Sequence, residues 1–117
     1  MESIEDVLKI RVINTSPDCI LVTSGATHGL QLIALGLLEE GSTVFLNTPS
    51  YLYSRHASQS AGIHLRGVSM DEKGMIPFEI CNIRNYQNRA AIYSIPSFHN
   101  PTGIVMPSFR RNSILEM

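Results

Sequence analysis

Short apolar, β-branched runs separated by helix-length segments constrain this chain more than any other feature. Residues 19–23, 43–46, 63–68 and 90–95 each have the length and composition of a strand, and each ends in Gly, Pro, Ser or Asn punctuation. Helical spacing fills the gaps. Ile4, Val7, Leu8 and Val12 predict a helix over 4–13, with Ser3 and Asp6 placed as a capping box. A second helix, over 27–40, is apolar on nearly every side, which implies more than one packing neighbour, and Gly41 is its expected stop. Residues 51–61 predict a helix broken at Gly62, 71–74 a turn, and Pro107 with Ser108 the start of a last helix. Residues 77–86 fit helix or loop. Strands alternating with helices indicate right-handed βαβ crossovers and an α/β fold with a mostly parallel sheet, covered on both faces.

Composition narrows the function classes. At 117 residues the chain is one domain at most, and a two-domain enzyme is excluded. With 44% hydrophobic residues and nine basic against ten acidic side chains, it is neither a disordered segment nor a polycation for nucleic acid. The apolar run over 32–38 is too short to span a membrane, and residues 1–17 lack the pattern of a signal peptide, so the expectation is no membrane and a cytoplasmic location. Cys19 and Cys81 fit no metal spacing and are expected as packed thiols in a reducing compartment. His28, His56, His64 and His99 show no ligand spacing to one another and are expected to be solvated or packed. No metal site is anticipated. Asp71, Glu72 and Lys73 are read as a solvated turn, and Arg110 and Arg111 as surface charge.

In open α/β sheets ligands gather at the carboxyl ends of strands, so the loops after three strands are where chemistry is expected. Ser24-Gly25-Ala26-Thr27 places small residues at a helix start, where backbone N–H groups and the helix dipole can hold a phosphate. An ordinary helix start with Ser24 as N-cap would look the same. Tyr51 follows Pro49 and could stack on a planar ligand, or serve as a core or rim tyrosine. Asn100, in Asn100-Pro101-Thr102-Gly103, could donate to a phenolate or carbonyl oxygen, or simply build a turn. Taken together, an anion cradle, a stacking ring and a directional donor describe a flat, phosphorylated heteroaromatic ligand.

The ordered set Val22-Thr23-Ser24-Gly25-Ala26-Thr27-His28-Gly29-Leu30, Pro49-Ser50-Tyr51, Gly62 with Met70-Asp71-Glu72-Lys73-Gly74, and His99-Asn100-Pro101-Thr102-Gly103 with Arg110-Arg111 resembles the class I/II aminotransferases of pyridoxal 5'-phosphate (PLP) fold type I. It is most similar to the branch that holds kynurenine and 2-aminoadipate aminotransferases and the aminotransferase-like half of MocR-type regulators. The resemblance implies a three-layer αβα large domain with a mostly parallel sheet, of which residues 1–117 form a part. It implies PLP as cofactor, with the phosphate held by Gly25, Ala26 and Thr27, the ring stacked by Tyr51 and the phenolic oxygen bonded by Asn100. Amino acid and 2-oxo acid substrates and a homodimeric parent enzyme are also implied, and Pro49 and Pro101 are candidates for cis peptide bonds.

In such enzymes a lysine downstream of the Asn-Pro-Thr-Gly loop forms the Schiff base, an aspartate pairs with the pyridine nitrogen, and an arginine binds the substrate carboxylate. None of these segments, nor the small domain, has a counterpart in 1–117; Glu40 and Ser42 are minor departures beside Gly41. The chain is therefore expected to supply the cofactor site of an aminotransferase without catalytic residues of its own. Rival readings are an inactive truncated module that binds cofactor weakly or joins a full-length subunit, and the effector domain of a transcription regulator. The last ranks lowest because no basic helix-turn-helix segment is seen. The expected outcome with PLP, an amino acid panel and 2-oxoglutarate is turnover no faster than PLP alone, because a positioned acid–base group contributes about 10²–10⁴-fold and neither Lys9 nor Lys73 matches the lysine's place. Turnover that disappears on joint Tyr51→Ala and Asn100→Ala substitution would overturn that expectation.

Overall fold

In a computed structural model that describes residues 3–50, 62–80 and 88–117, Thr43–Thr48 forms the inner strand β1 of a four-stranded sheet. It pairs in parallel with β2 (His64–Asp71) on one side and β4 (Ala90–Tyr93) on the other, and β3 (Gly74–Met75) adds antiparallel to β2, giving the order β3-β2-β1-β4. The register sets Thr43 against both His64 and Ala90, so the strands start level. Alternation along β1 buries Thr43, Phe45 and Asn47 on one face. On that face Phe45 packs with Val68, Met75, Ile80 and Met106, and Ala90, Ile92 and Ile114 close over them.

α1 (Ile4–Ile10) begins with the capping box expected from Ser3 and Asp6: the Asp6 N–H donates to Ser3 Oγ, and Asp6 Oδ2 accepts from the Ser3 N–H at 3.1 Å. α2 (Ala26–Leu37) stops four residues short of Gly41. Its end is tied to the amino-terminal edge of the sheet by Arg89 Nη1 donating to the Leu37 carbonyl at 2.8 Å, with Ser42 Oγ accepting from the Glu39 N–H at 2.9 Å. α3 (Ser108–Leu115) follows Pro107 and packs Ile114 onto the core.

Several expectations are corrected. Residues 19–23 form no strand: Pro17–Cys19 is one turn of 3-10 helix, and 20–23 runs on without a neighbouring strand among the described residues. A strand exists only where a second backbone takes its N–H and C=O groups, and this run has none among the described residues, where Leu21 and Val22 are 75% and 70% exposed. α2 buries only Ala34, so its all-round apolarity meets fewer neighbours than expected. Cys19 is exposed rather than packed. The helix expected over 51–61 and Cys81 lie outside the described residues.

Asp71 and Arg110 are not independent surface charges. Asp71 Oδ1 accepts from the Lys73 N–H at 2.8 Å across the β2–β3 turn, while Arg110 bridges from α3 to Asp71 Oδ2 at 2.8 Å and to the Met75 carbonyl at 2.9 Å. The hydrogen bond from Arg110 holds the Asp71 carboxyl below its ordinary value, assisted by the Lys73 N–H. A lowered carboxylate pKa stabilises the fold fully above the ordinary carboxylate range, and that contribution is lost as pH falls through the lowered value. Urea unfolding midpoints measured from about pH 7 to about pH 3 should therefore fall more steeply for the natural chain than for Asp71→Asn, with Asp71→Asn the weaker at neutral pH. Parallel curves would show that the pair contributes nothing.

Candidate functional site

β1 and β4 are parallel neighbours, so the loops leaving them at Pro49 and Pro96 depart from one edge of the sheet. The Thr48–Pro49 and Asn100–Pro101 peptide bonds are both cis. α2 is tied at its C-terminus to the opposite edge and is roughly 18 Å long at ~1.5 Å per residue, close to the roughly 20 Å of a six-residue strand.

The start of α2 has an unusual cap. Gly25, not Ser24, is the N-cap, at φ 103° and ψ 171°, and no side chain caps the helix. That backbone region is essentially restricted to glycine. The first intrahelical bond runs from the Gly29 N–H to the Gly25 carbonyl at 3.1 Å. The amides of Ala26, Thr27 and His28 precede that bond and have no intrahelical acceptor. No acidic residue sits in the first turn, so nothing there opposes an anion. The loop before it is held from both sides: Thr23 Oγ1 donates to the Gly25 carbonyl at 3.1 Å, and the Ser24 N–H donates to His28 Nδ1 at 3.1 Å. Ala26 and Thr27 are exposed. A Cβ added at Gly25 would meet nothing within 4 Å.

Asn100 stands exposed on the turn after β4, and its side chain makes no hydrogen bond among the described residues. The loop that bears it is an excursion between two anchored feet: the Met106 N–H donates to the Pro96 carbonyl at 2.8 Å, and Arg111 donates to the Met106 carbonyl at 2.8 Å and to the Pro96 carbonyl at 3.2 Å. Arg111, read from sequence as surface charge, is thus a strut under the loop. Tyr51 lies outside the described residues. Of the expected contacts, the α2 start and Asn100 are both open to a ligand, and their residue types fit a phosphate and a phenolic oxygen.

Sequence reasoning gave no role to Asn47 or Ser94, and read His99 only as solvated or packed. Asn47 Nδ2 and Oδ1, Ser94 Oγ and His99 Nε2 are buried without hydrogen-bond partners among the described residues. Asn47 could have been found from its spacing, since it shares a face with Phe45 two residues away. His99 is 2% exposed, and its Nδ1 lies 2.9 Å from Thr102 Oγ1. Burial pushes its imidazole below the ordinary value, so the ring is neutral at pH 7. No group of three or more His, Cys, Asp or Glu among the described residues could hold a metal ion, and no helix there is long and apolar enough to cross a membrane.

Comparison with known proteins is consistent across sequence and structure. The family model for aminotransferase class I and II matches residues 3–116. The uncharacterized HTH-type transcriptional regulator YdfD of Bacillus subtilis is 50% identical over 114 residues, which cover 97% of this chain and 24% of that protein. An archaeal alanine:glyoxylate aminotransferase superposes with a TM-score of 0.83 at 30% identity, over 96% of this chain and 29% of that one. The α-aminoadipate aminotransferase LysN of Thermus thermophilus superposes with a TM-score of 0.79 at 31% identity, over 95% and 28% of the two chains. The chain thus spans about a quarter of the length of these relatives.

Substituting Gly25 isolates the backbone requirement of the α2 start. Because an added Cβ finds open space, Gly25→Ala should cost about 1–3 kcal/mol through backbone conformation alone, read by urea unfolding. An unchanged midpoint would show that the N-cap relaxes freely and that the geometry described is not fixed.

Proposed function

The chain belongs to the class I and II aminotransferase family, and from that membership we propose that it supplies part of a PLP site. The amides of Gly25, Ala26 and Thr27 would hold the phosphate, Tyr51 would stack on the ring, and Asn100 would donate to the phenolic oxygen. The observation that carries this reading is the α2 start, where a glycine-only N-cap has open space beside its Cα, the first amides have no intrahelical acceptor, and the first turn holds no acidic residue. PLP, when bound, supplies an electron sink for chemistry at the carbon bearing the substrate amine. The residues described here bind and orient. Neither lysine is placed beside them: Lys9 pairs with Glu5 at 2.7 Å on α1, and Lys73 lies over the Phe109 ring at 5.9 Å.

For the whole protein, the reading favoured is an effector domain of a transcription regulator, in which the cofactor site senses a small amine or amino acid. The 50% identity to a protein named as an HTH-type regulator supports it and reverses the rank it has from sequence alone. The second reading is amino-group transfer between an amino acid and a 2-oxo acid in a homodimer, supported by the superposition on alanine:glyoxylate aminotransferase at 30% identity. Operator affinity that changes on addition of an amino acid supports the first, and turnover of amino donor and 2-oxoglutarate by the whole protein supports the second.

The site itself is tested by equilibrium dialysis of the purified chain against PLP and against pyridoxal, which lacks the phosphate. PLP should be held at least about tenfold more tightly, equivalent to ~1.4 kcal/mol. Asn100→Ala should weaken both ligands together, since it touches the ring and not the phosphate. Equal affinity for PLP and pyridoxal would overturn the cradle.

A further inference from the structure

We infer that His99 is a positioning residue for Asn100, fixing the turn that presents the amide to the cofactor's phenolic oxygen; this inference rests on the PLP-site reading. Three closures of the 99–104 turn involve His99. Its N–H donates to the Ile104 carbonyl at 2.9 Å, its carbonyl accepts from the Gly103 N–H at 2.5 Å, and its imidazole Nδ1 meets Thr102 Oγ1 at 2.9 Å. The backbone bonds are available to any residue at this position, but the third needs a side chain that can bond a hydroxyl while buried.

The ring is 2% exposed while the next residue, Asn100, is exposed, so one end of the turn is anchored in the interior and the functional amide stands immediately beyond the anchor. Thr102 Oγ1 also accepts from the Ile104 N–H, at 3.4 Å. Its proton is then free to go to Nδ1, which puts the ring proton on Nε2. That Nε2 has no partner among the described residues. An apolar side chain of similar size would fill the space without burying an unpaired polar atom, so packing alone does not account for an imidazole. The bond to Thr102 does: it joins the residue before Asn100 to the residue two places after it, and limits how far the intervening amide can swing.

The test reads the absorption band of PLP bound to the full chain, which reports the environment of its phenolic oxygen. Asn100→Ala should shift the band. His99→Leu should reproduce most of that shift although Asn100 is intact, and adding Asn100→Ala to it should move the band little further, because the two act through one contact. His99→Gln, whose amide can still bond the Thr102 hydroxyl, should keep the natural band. If His99→Leu fails to fold by circular dichroism, Thr102→Val removes the same bond while leaving the imidazole in place, and should shift the band in the same direction. A natural band in the folded His99→Leu chain, or in Thr102→Val, would overturn the inference even if the melting temperature fell, since that is the signature of a merely structural residue. Additive shifts in the double variant would overturn it too. A natural band in Asn100→Ala would instead overturn the PLP-site reading, and the positioning role with it.

Discussion

Parallel pairing of β1 on both sides is the constraint on which the rest of the structure depends. Strands that run in the same direction send their exits to the same edge, so the β1–β4 pair delivers two loops there while Phe45 holds the core face beneath them. The same face takes in Met75 from the β2–β3 hairpin and Met106 from the far foot of the Asn100 loop. Parts distant in sequence are thereby positioned by one cluster of side chains. Changing the strand register by one residue would turn Phe45 out of that cluster and Asn47 with it.

Two successive arginines extend that order to the surface. Arg110 joins α3 to the β2–β3 hairpin through Asp71 and the Met75 carbonyl, and Arg111 joins α3 to both feet of the Asn100 loop. A guanidinium carries its donors in a fixed fork, so one side chain can satisfy carbonyls on separate segments, which a lysine ammonium does with less geometric control. α3 therefore acts as a brace.

What the sequence made legible was local. The capping box at Ser3 and Asp6 needs residues three apart, and β1, β2 and β4 could be read because apolar pattern and neighbouring backbone agree. Residues 19–23 carry as good a pattern as residues 43–46, yet a strand also requires a partner, and pairing is not written in the run itself. The same limit applied to Arg110 and Arg111: their adjacency suggested charge on a surface, while their partners lie up to 39 positions away. At the site, the glycine and small residues of 24–27 were visible, but the shift of the N-cap from Ser24 to Gly25 depends on a φ of 103°, a backbone fact that residue identity permits without specifying. For His99 the sequence left solvated and packed open, because burial depends on how the chain around it folds.

The division between binding and chemistry explains how one scaffold can stand beside both regulators and enzymes. Amides at a helix start and an amide side chain on an anchored turn require only that a ligand's charge and acceptor be met in place. They move no proton and need no covalent attachment. An enzyme adds groups that act differently on the ground and transition states, and those groups can change without disturbing the residues that merely hold the ligand. Sequence identity in a holding segment therefore reports the ligand more faithfully than it reports the reaction. The 50% identity to a protein named as an HTH-type regulator and the 30% identity to an aminotransferase are then compatible observations: on the proposed reading each bears on the segment that would hold the cofactor, and residues outside that segment would decide between sensing and turnover.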